Sequence, residues 1–471
     1  MLIKRWRHLR KRITTNKNNF NCKANIMSNV YKTFDYSQIP ITQLRDKDRE
    51  NLSKIANFTI RNLCENNNSN LLIFPQQLDI YHDGIADSCI FTMDDKNLHT
   101  GDMLGFIGIN DSQITISTRF AKNDIEDYFL HYMLQKVFHI NLLDLQHSIS
   151  NDRIFDFLTY MFPFYLKRAL KQGLYKKYTT KNYNNINVKG TINISNHIKS
   201  NTPFNGKIAY RVKEYNCDND LTQLIRHTIE YIRDSYMSSI LQTDADTVAY
   251  VSQICNATPS YDKRALNNVL IKNRNPIFHP YYTEYRILQK LCVQILCHKR
   301  LKYGSDNNRI YGILFSGSWL WEEFLYKTVL KECGFSHPQN RAGKGGIYLF
   351  NKNDSDLNFV VSRCKRYPDY FKENFILDAK YKHLDNNSID RNDMHQIISY
   401  MHVEKANIGG FIYPKSTMDI MITKLGDLRG FGGVIYNIGV PIPQEKETYA
   451  MFSLEMNNIQ KELKRRILAL S

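Results

Sequence analysis

The chain has 471 residues, 42% hydrophobic and 23% charged, which suits a globular protein too long for one core and points to two to four domains. Its net charge of +17 favours a polyanionic partner, nucleic acid above all. No apolar run approaches the roughly 20 residues of a membrane-spanning helix, and the nine cysteines form no CxxC pair for zinc, so they read as reduced thiols of a cytoplasmic protein.

In chain order, MLIKRWRHLRKR is basic but lacks the apolar core of a secretory signal, and Met27 offers a second start. Residues 1–40 are expected to form a basic, disordered tail. Residues 45–66 read as one amphipathic helix, with Leu52, Ile55, Ile60 and Leu63 on one side. Strand-like runs follow at Leu71–Phe74, Cys89–Met93, Met103–Ile109 and Ile114–Thr118, predicting a β-rich N-terminal module over 41–120. Residues 121–308 are expected to be mainly helical. The segments 127–138 and 152–178 carry apolar positions at helix spacing, and Asp218 is a candidate N-cap for the stripe Leu221, Leu224, Ile225, Ile229 and Ile232. Further helices fit 243–256, 262–272 and 283–302, while 187–198 alternates like a strand. The turn-rich Gly304–Arg309 marks a boundary. Beyond it, 309–471 reads as α/β, with helices at 318–333 and 392–404 and strands at 408–413 and 418–423.

The segment that carries chemistry is RYPDYFKENFILDAKYK, residues 366–382. On a strand, Phe375, Leu377 and Ala379 share an apolar face, and Ile376, Asp378 and Lys380 share the other. A carboxylate and an ammonium thus enter one cleft. Lys372-Glu373-Asn374 suits a tight turn that brings Asp369 beside Asp378. Two adjacent carboxylates repel, and Mg2+ relieves the repulsion, so Asp369, Asp378 and the carbonyl of Ala379 are candidate ligands. The metal would polarise a phosphate and help generate hydroxide, with Lys380 orienting the water or neutralising charge. A third carboxylate is expected from the helix GSWLWEEFLYKTVL, residues 317–330. Glu322 and Glu323 cannot both face inward there; Glu322 is preferred and Glu323 is the fallback. Gln396 and Tyr400, at i and i+4, brace the site or contact DNA backbone, and His395 beside them is structural or touches DNA. The plainer alternative is a solvated hairpin edge with Lys380 as a salt-bridge partner. No G-x-x-x-x-G-K-[ST], H-E-x-x-H or G-x-S-x-G is present, and Arg341–Gly346 has the wrong spacing for a nucleotide loop, so it reads as a flexible loop or a phosphate contact.

The run FILDAKYK, 375–382, resembles the nuclease signature of the McrC family, the cleavage subunit of McrBC-type and LlaJI-type restriction systems. WLWEEFL (319–325), KGTINISNHI (189–198), PFNGKIAY (203–210) and NDLTQLIRHT (219–228) also resemble that family, so the likeness spans roughly residues 100–440. It implies an α+β multidomain chain whose C-terminal α/β domain, 309–471, has the PD-(D/E)xK restriction-endonuclease-like fold. It assigns catalytic roles to Asp369, Asp378 and Lys380 and makes Glu322 the upstream acid. It further implies Mg2+-dependent cutting of double-stranded DNA in the bacterial cytoplasm. A separate McrB-type AAA+ GTPase would supply DNA recognition and translocation, with the N-terminal and central parts, 121–308 included, docking into it and stimulating it. The contrasting expectation is a non-catalytic scaffold and activator that uses the nuclease fold only to hold DNA.

Overall fold

The computed structural model describes residues 29–65, 69–75, 85–110, 112–120, 127–138, 153–301, 310–338, 345–349, 365–382, 389–417, 419–430, 432–444, 446 and 448–470. The expected tail over 1–28 and the glycine-rich segment 341–344 lie outside the described residues.

The N-terminal part contains β1 (Asn29–Phe34), β2 (Gln38–Pro40), α1 (Asp46–Ser53), α2 (Ile60–Glu65), β3 (Ser69–Phe74), β4 (Phe91–Met93), β5 (Asn97–Thr100), β6 (Met103–Ile109) and β7 (Ser112–Ser117). β1 and β2 fall inside the expected tail. They form because their partners are distant: β1 runs parallel to β7, and β2 pairs with β5. The single helix expected over 45–66 is broken at Asn57, whose φ is +65°. Its amide bridges to Met93, accepting the backbone N–H and donating to the carbonyl, each at 3.1 Å. That local bond pattern competes with helix continuation.

The middle contains α3 (Tyr128–Phe138), α4 (Arg153–Lys171), β8 (Lys177–Asn185), β9 (Thr191–Ile192), α5 (Ile194–Ser200), β10 (Ile208–Asn216), α6 (Asp220–Arg233), α7 (Ala245–Ala257), α8 (Leu266–Lys272) and α9 (Tyr285–Leu301). The strand expected over 187–198 survives only as β9, because Asn193 accepts the Asn196 N–H at 3.3 Å and starts α5. Asn219, not Asp218, caps α6, through a reciprocal capping box with Thr222. The stripe Leu221, Leu224, Ile225, Ile229 and Ile232 enters the main core as expected.

The C-terminal part begins with β11 (Ile310–Ser316) and α10 (Gly317–Leu325), which continues as a π-turn over Tyr326–Leu330. There follow β12 (Ile347–Tyr348), β13 (Lys365–Arg366), β14 (Tyr370–Lys372), β15 (Phe375–Ala379), α11 (Arg391–Glu404), β16 (Ile408–Lys415), β17 (Met421–Asp427), β18 (Val434–Pro441) and α12 (Tyr449–Leu470). β11 inserts between β6 and β3 in the five-stranded sheet β1-β7-β6-β11-β3. A second five-stranded sheet has the order β14-β15-β16-β18-β17, with β15, β16 and β18 parallel. Phe375, Leu377, Ile412, Ile438 and Val440 pack into the main core with Trp321 and Phe324 of α10. Ile376, Phe411, Tyr413 and Ile435 pack on the opposite face against Ile397, Tyr400 and Met401 of α11. The sheet is thus covered on both sides, and β15 is buried along its length instead of alternating.

Two contacts tie the N-terminal part to this second sheet. Asp102 accepts the Ser316 hydroxyl at 2.8 Å, and its carbonyl accepts the Gly317 N–H at 2.8 Å, fixing the start of α10. Arg119 pairs with the enclosed carboxylate of Asp35 at 2.9 Å and donates to the carbonyl of Tyr381 at 3.0 Å. The Tyr381 ring packs edge-on to Phe120 and covers Gly317, where an added Cβ would lie 2.6 Å from Tyr381 Cε1.

Burial pushes the Asp35 carboxyl up to about 7, against the opposing pull of Arg119. The folded chain therefore holds this proton more tightly than the unfolded one, and Asp35 makes stability fall as pH rises between 3.8 and about 7. Arg119→Met leaves that carboxylate enclosed and unpaired, with an expected loss of about 3–5 kcal/mol at pH 8. The loss should shrink at pH 5, where Asp35 takes up a proton; denaturant unfolding at the two pH values checks the difference.

Candidate functional site

The 369–380 segment folds as an antiparallel hairpin with Lys372 paired to Phe375 and Tyr370 paired to Leu377. Asn374 makes the turn possible by adopting a φ of +69°, a conformation that asparagine tolerates better than most residues. Asp369 then lies across from Asp378, and its Oδ2 accepts the Ala379 N–H at 2.7 Å. The expected convergence of Asp369, Asp378 and Lys380 is present. Asp378 is 2% exposed, and its Oδ2 meets the Lys380 ammonium at 2.6 Å.

Burial and the neighbouring charge of Asp369 together raise the pKa of Asp378, against the pull of Lys380. Burial works to lower the pKa of Lys380, but Asp378, Asp369 and Asp393 outweigh it and raise it. Asp393, on the first turn of α11, binds Lys380 at 3.0 Å and Lys382 at 2.5 Å. Sequence reasoning passed over Asp393. Its signal was spacing, since it lies three residues before Gln396 on the same helix.

Gln396 Nε2 donates to Tyr400 Oη at 3.0 Å, so the i, i+4 pair exists as expected. Tyr400 is buried, and after burial itself the charges of Asp378 and Asp369 help raise its pKa, which puts it beside the centre. Gln396 and His395 are on the exposed side of α11.

α10 supplies both glutamates, half-buried. The Glu322 carbonyl accepts the Tyr370 hydroxyl at 2.7 Å, joining helix and hairpin. Burial raises the pKa of Tyr370 well above its usual value, and the charges of Glu322, Asp369, Glu323 and Asp378 add to the shift. Glu323 is engaged elsewhere, with Lys327 at 3.3 Å and His337 at 3.6 Å. His337 lies between the two elements, its Nδ1 2.6 Å from the Asp369 carbonyl and its ring against Tyr326 and Tyr370. Sequence reasoning missed His337, which is 32 residues from Asp369 in the chain and shares no motif with it.

Among the described residues no group of three His, Cys, Asp or Glu side chains converges as a metal cage. Glu322 is near the hairpin acids but does not close such a group with them. What remains is a two-carboxylate site, Asp369 and Asp378, with the Lys380 ammonium against Asp378. That donor set fits a hard divalent cation that keeps several waters.

Comparison with known proteins gives a family and a fold likeness. The family described as "McrBC 5-methylcytosine restriction system component" matches residues 98–414. No curated protein matches the chain. Among solved structures, the chain resembles one from the refined half-complex of the tetradecameric assembly of Thermococcus gammatolerans McrB AAA+ hexamers with bound McrC, at 13% identity, covering 92% of this chain and 100% of that one, with TM-score 0.47. It also resembles a chain of the Thermococcus gammatolerans McrBC complex, at 13% identity, covering 66% and 90%, with TM-score 0.33.

His337 carries a stability prediction. Burial lowers its pKa, but Glu323 and the Asp369 carbonyl outweigh that and raise it above 6.5. Its contribution is fully present below pH 6.5 and is lost as pH rises through the elevated value. Substituting His337→Gln should remove this pH dependence and cost about 1–3 kcal/mol at pH 6; thermal unfolding between pH 6 and 9 reads both.

Proposed function

Because the chain belongs to the family of McrBC 5-methylcytosine restriction system components, we propose that it is the DNA-cutting subunit of such a system. One observation carries the reading: Asp369, Asp378 and Lys380 meet at the end of one hairpin, with the Asp378 carboxylate buried between the charges of the other two. The carboxylates of Asp369 and Asp378 and the carbonyl of Ala379 are the proposed Mg2+ ligands. When bound, the cation supplies Lewis-acid polarisation of a phosphodiester and lowers the pKa of a coordinated water.

The chain's own residues then have distinct tasks. Lys380 donates Nζ–H to a non-bridging phosphate oxygen and offsets charge that grows there. Asp393 holds the Lys380 stem in place and occupies Lys382 as well. Asp369 is held to the hairpin by the Ala379 N–H, and its carbonyl is held by His337, so the carboxylate arrives already oriented. Tyr400 and α11 close the apolar floor beneath Asp378 and keep bulk water from that side. Glu322, on the adjacent helix, is the proposed upstream acid.

The proposed partners are double-stranded DNA and a McrB-like AAA+ GTPase. The net charge of +17 supports the first. The sequence carries no nucleotide-binding loop of its own, which supports the second. The central segment, 121–308, is the proposed docking region, and Ile186, Ile194, Ile198 and Phe204 are exposed apolar side chains within it.

The full chain combined with its motor partner, GTP and Mg2+ should cut DNA, and Asp378→Ala should cut at least about a hundredfold more slowly. Equal cutting by both would place the centre elsewhere. No cutting by either would favour the scaffold reading, in which the fold only holds DNA. Mg2+ alone should also raise the unfolding temperature of the wild-type chain and not that of Asp378→Ala, by about 2.7 kcal/mol of stabilisation at a hundred times its Kd.

A further inference from the structure

Lys415 is the last residue of β16, and only 4% of it is exposed. Strand alternation puts its side chain on the face of Phe411 and Tyr413. Those two share the α11-side core with Ile376, and Ile376 shares its face of β15 with Asp378 and Lys380. The register fixes the neighbours. Asp378 is paired with Phe411, and Lys380 donates its backbone N–H to Ile412 O at 2.9 Å, so Tyr413 is the next side chain across from Lys380. On its other side Tyr413 is paired with Gly439 of β18.

The lysine stem runs back over that glycine. A Cβ built on Gly439 would lie 2.7 Å from Lys415 Cδ and 3.2 Å from Tyr413 Oη, so only glycine leaves the stem room. Among the described residues no carboxylate pairs with the Lys415 ammonium. The other enclosed cations beside the site have such partners: Lys380 has Asp378 at 2.6 Å, and Arg119 has Asp35 at 2.9 Å. One row away, Asn437 is paired with Phe411 and is 9% exposed.

The Lys415 stem is buried and its ammonium, which keeps some access to solvent, has no carboxylate partner among the described residues, so an anion can pair with it there. The carboxyl ends of parallel strands are where open α/β sheets take their ligands, and Lys415 is at that end of β16. We propose that Lys415 is a DNA phosphate seat on the nuclease face, holding a backbone phosphate that flanks the scissile one; this rests on the nuclease reading above. Lys380 then meets the reacting phosphate, Lys415 fixes the strand's position beside it, and Asn437 offers an amide to the same backbone. No covalent step is assigned to Lys415.

The test measures binding of the full chain to a 40-base-pair duplex without divalent cation, across a series of salt concentrations. Lys415→Met keeps the stem and removes the charge. It should weaken binding roughly five- to tenfold and lower the slope of log K against log salt by about 0.9, the loss of one phosphate contact. Lys415→Arg should keep the wild-type slope. The unfolding temperature of Lys415→Met should stay level, since the packing of the buried stem is kept. A wild-type slope in Lys415→Met overturns the seat, whether or not its unfolding temperature falls; so does a wild-type chain that shows no salt-dependent DNA binding, alone or with its motor partner. Cleavage separates this from the parent reading. A chain that loses the slope but never cuts keeps the seat and sinks the nuclease, whereas one that cuts normally and keeps its slope in Lys415→Met sinks the seat alone.

Discussion

The centre of this protein depends on holding a buried carboxylate, Asp378, beside a second one, Asp369, and against the Lys380 ammonium. A fold driven only by stability would not keep that arrangement, because burial and like charge both work against it. The surrounding structure over-determines it instead. The Asp369 carboxylate is tied to the Ala379 N–H, the Asp369 carbonyl is tied to His337, and the Tyr370 hydroxyl ties the hairpin to α10. Each bond fixes one degree of freedom that repulsion would otherwise use to spread the acids apart.

The hairpin is in turn held by parts of the chain that contain no chemistry. β11 completes the N-terminal sheet and delivers α10 directly from its end, with Asp102 capping the junction. Arg119 reaches from the end of that same module to the Tyr381 carbonyl, one residue beyond Lys380. The N-terminal module is therefore joined by hydrogen bonds to the start of α10 and to the residue after Lys380.

The α11-side face of the second sheet carries charged and polar side chains among its apolar ones. Lys380, Tyr413, Lys415 and Asn437 lie there over three adjacent parallel strands, and α11 adds Asp393, Gln396 and Tyr400 along the near edge. The opposite face seats α10 and α12 on its apolar side chains.

Much of the centre was legible in the sequence because its parts are local. A D-x-K on a strand, a turn-forming asparagine and an acid nine residues upstream fall within one hairpin, and hairpin geometry is a short-range property. The helices at 391–404 and 220–233 and the strands around 408 and 421 were equally readable from periodicity. Long-range partners decided the rest. β1 is a strand because β7 accepts it, and the helix at Asn57 breaks because Met93 offers a pair of hydrogen bonds. Asp393, His337 and Arg119 join the centre, and Glu323 turns toward His337, only after elements far apart in the chain are packed together. Local sequence set which side chains could do chemistry; tertiary packing set which charges they would face, because electrostatic balance depends on neighbours in space and not on neighbours in the chain.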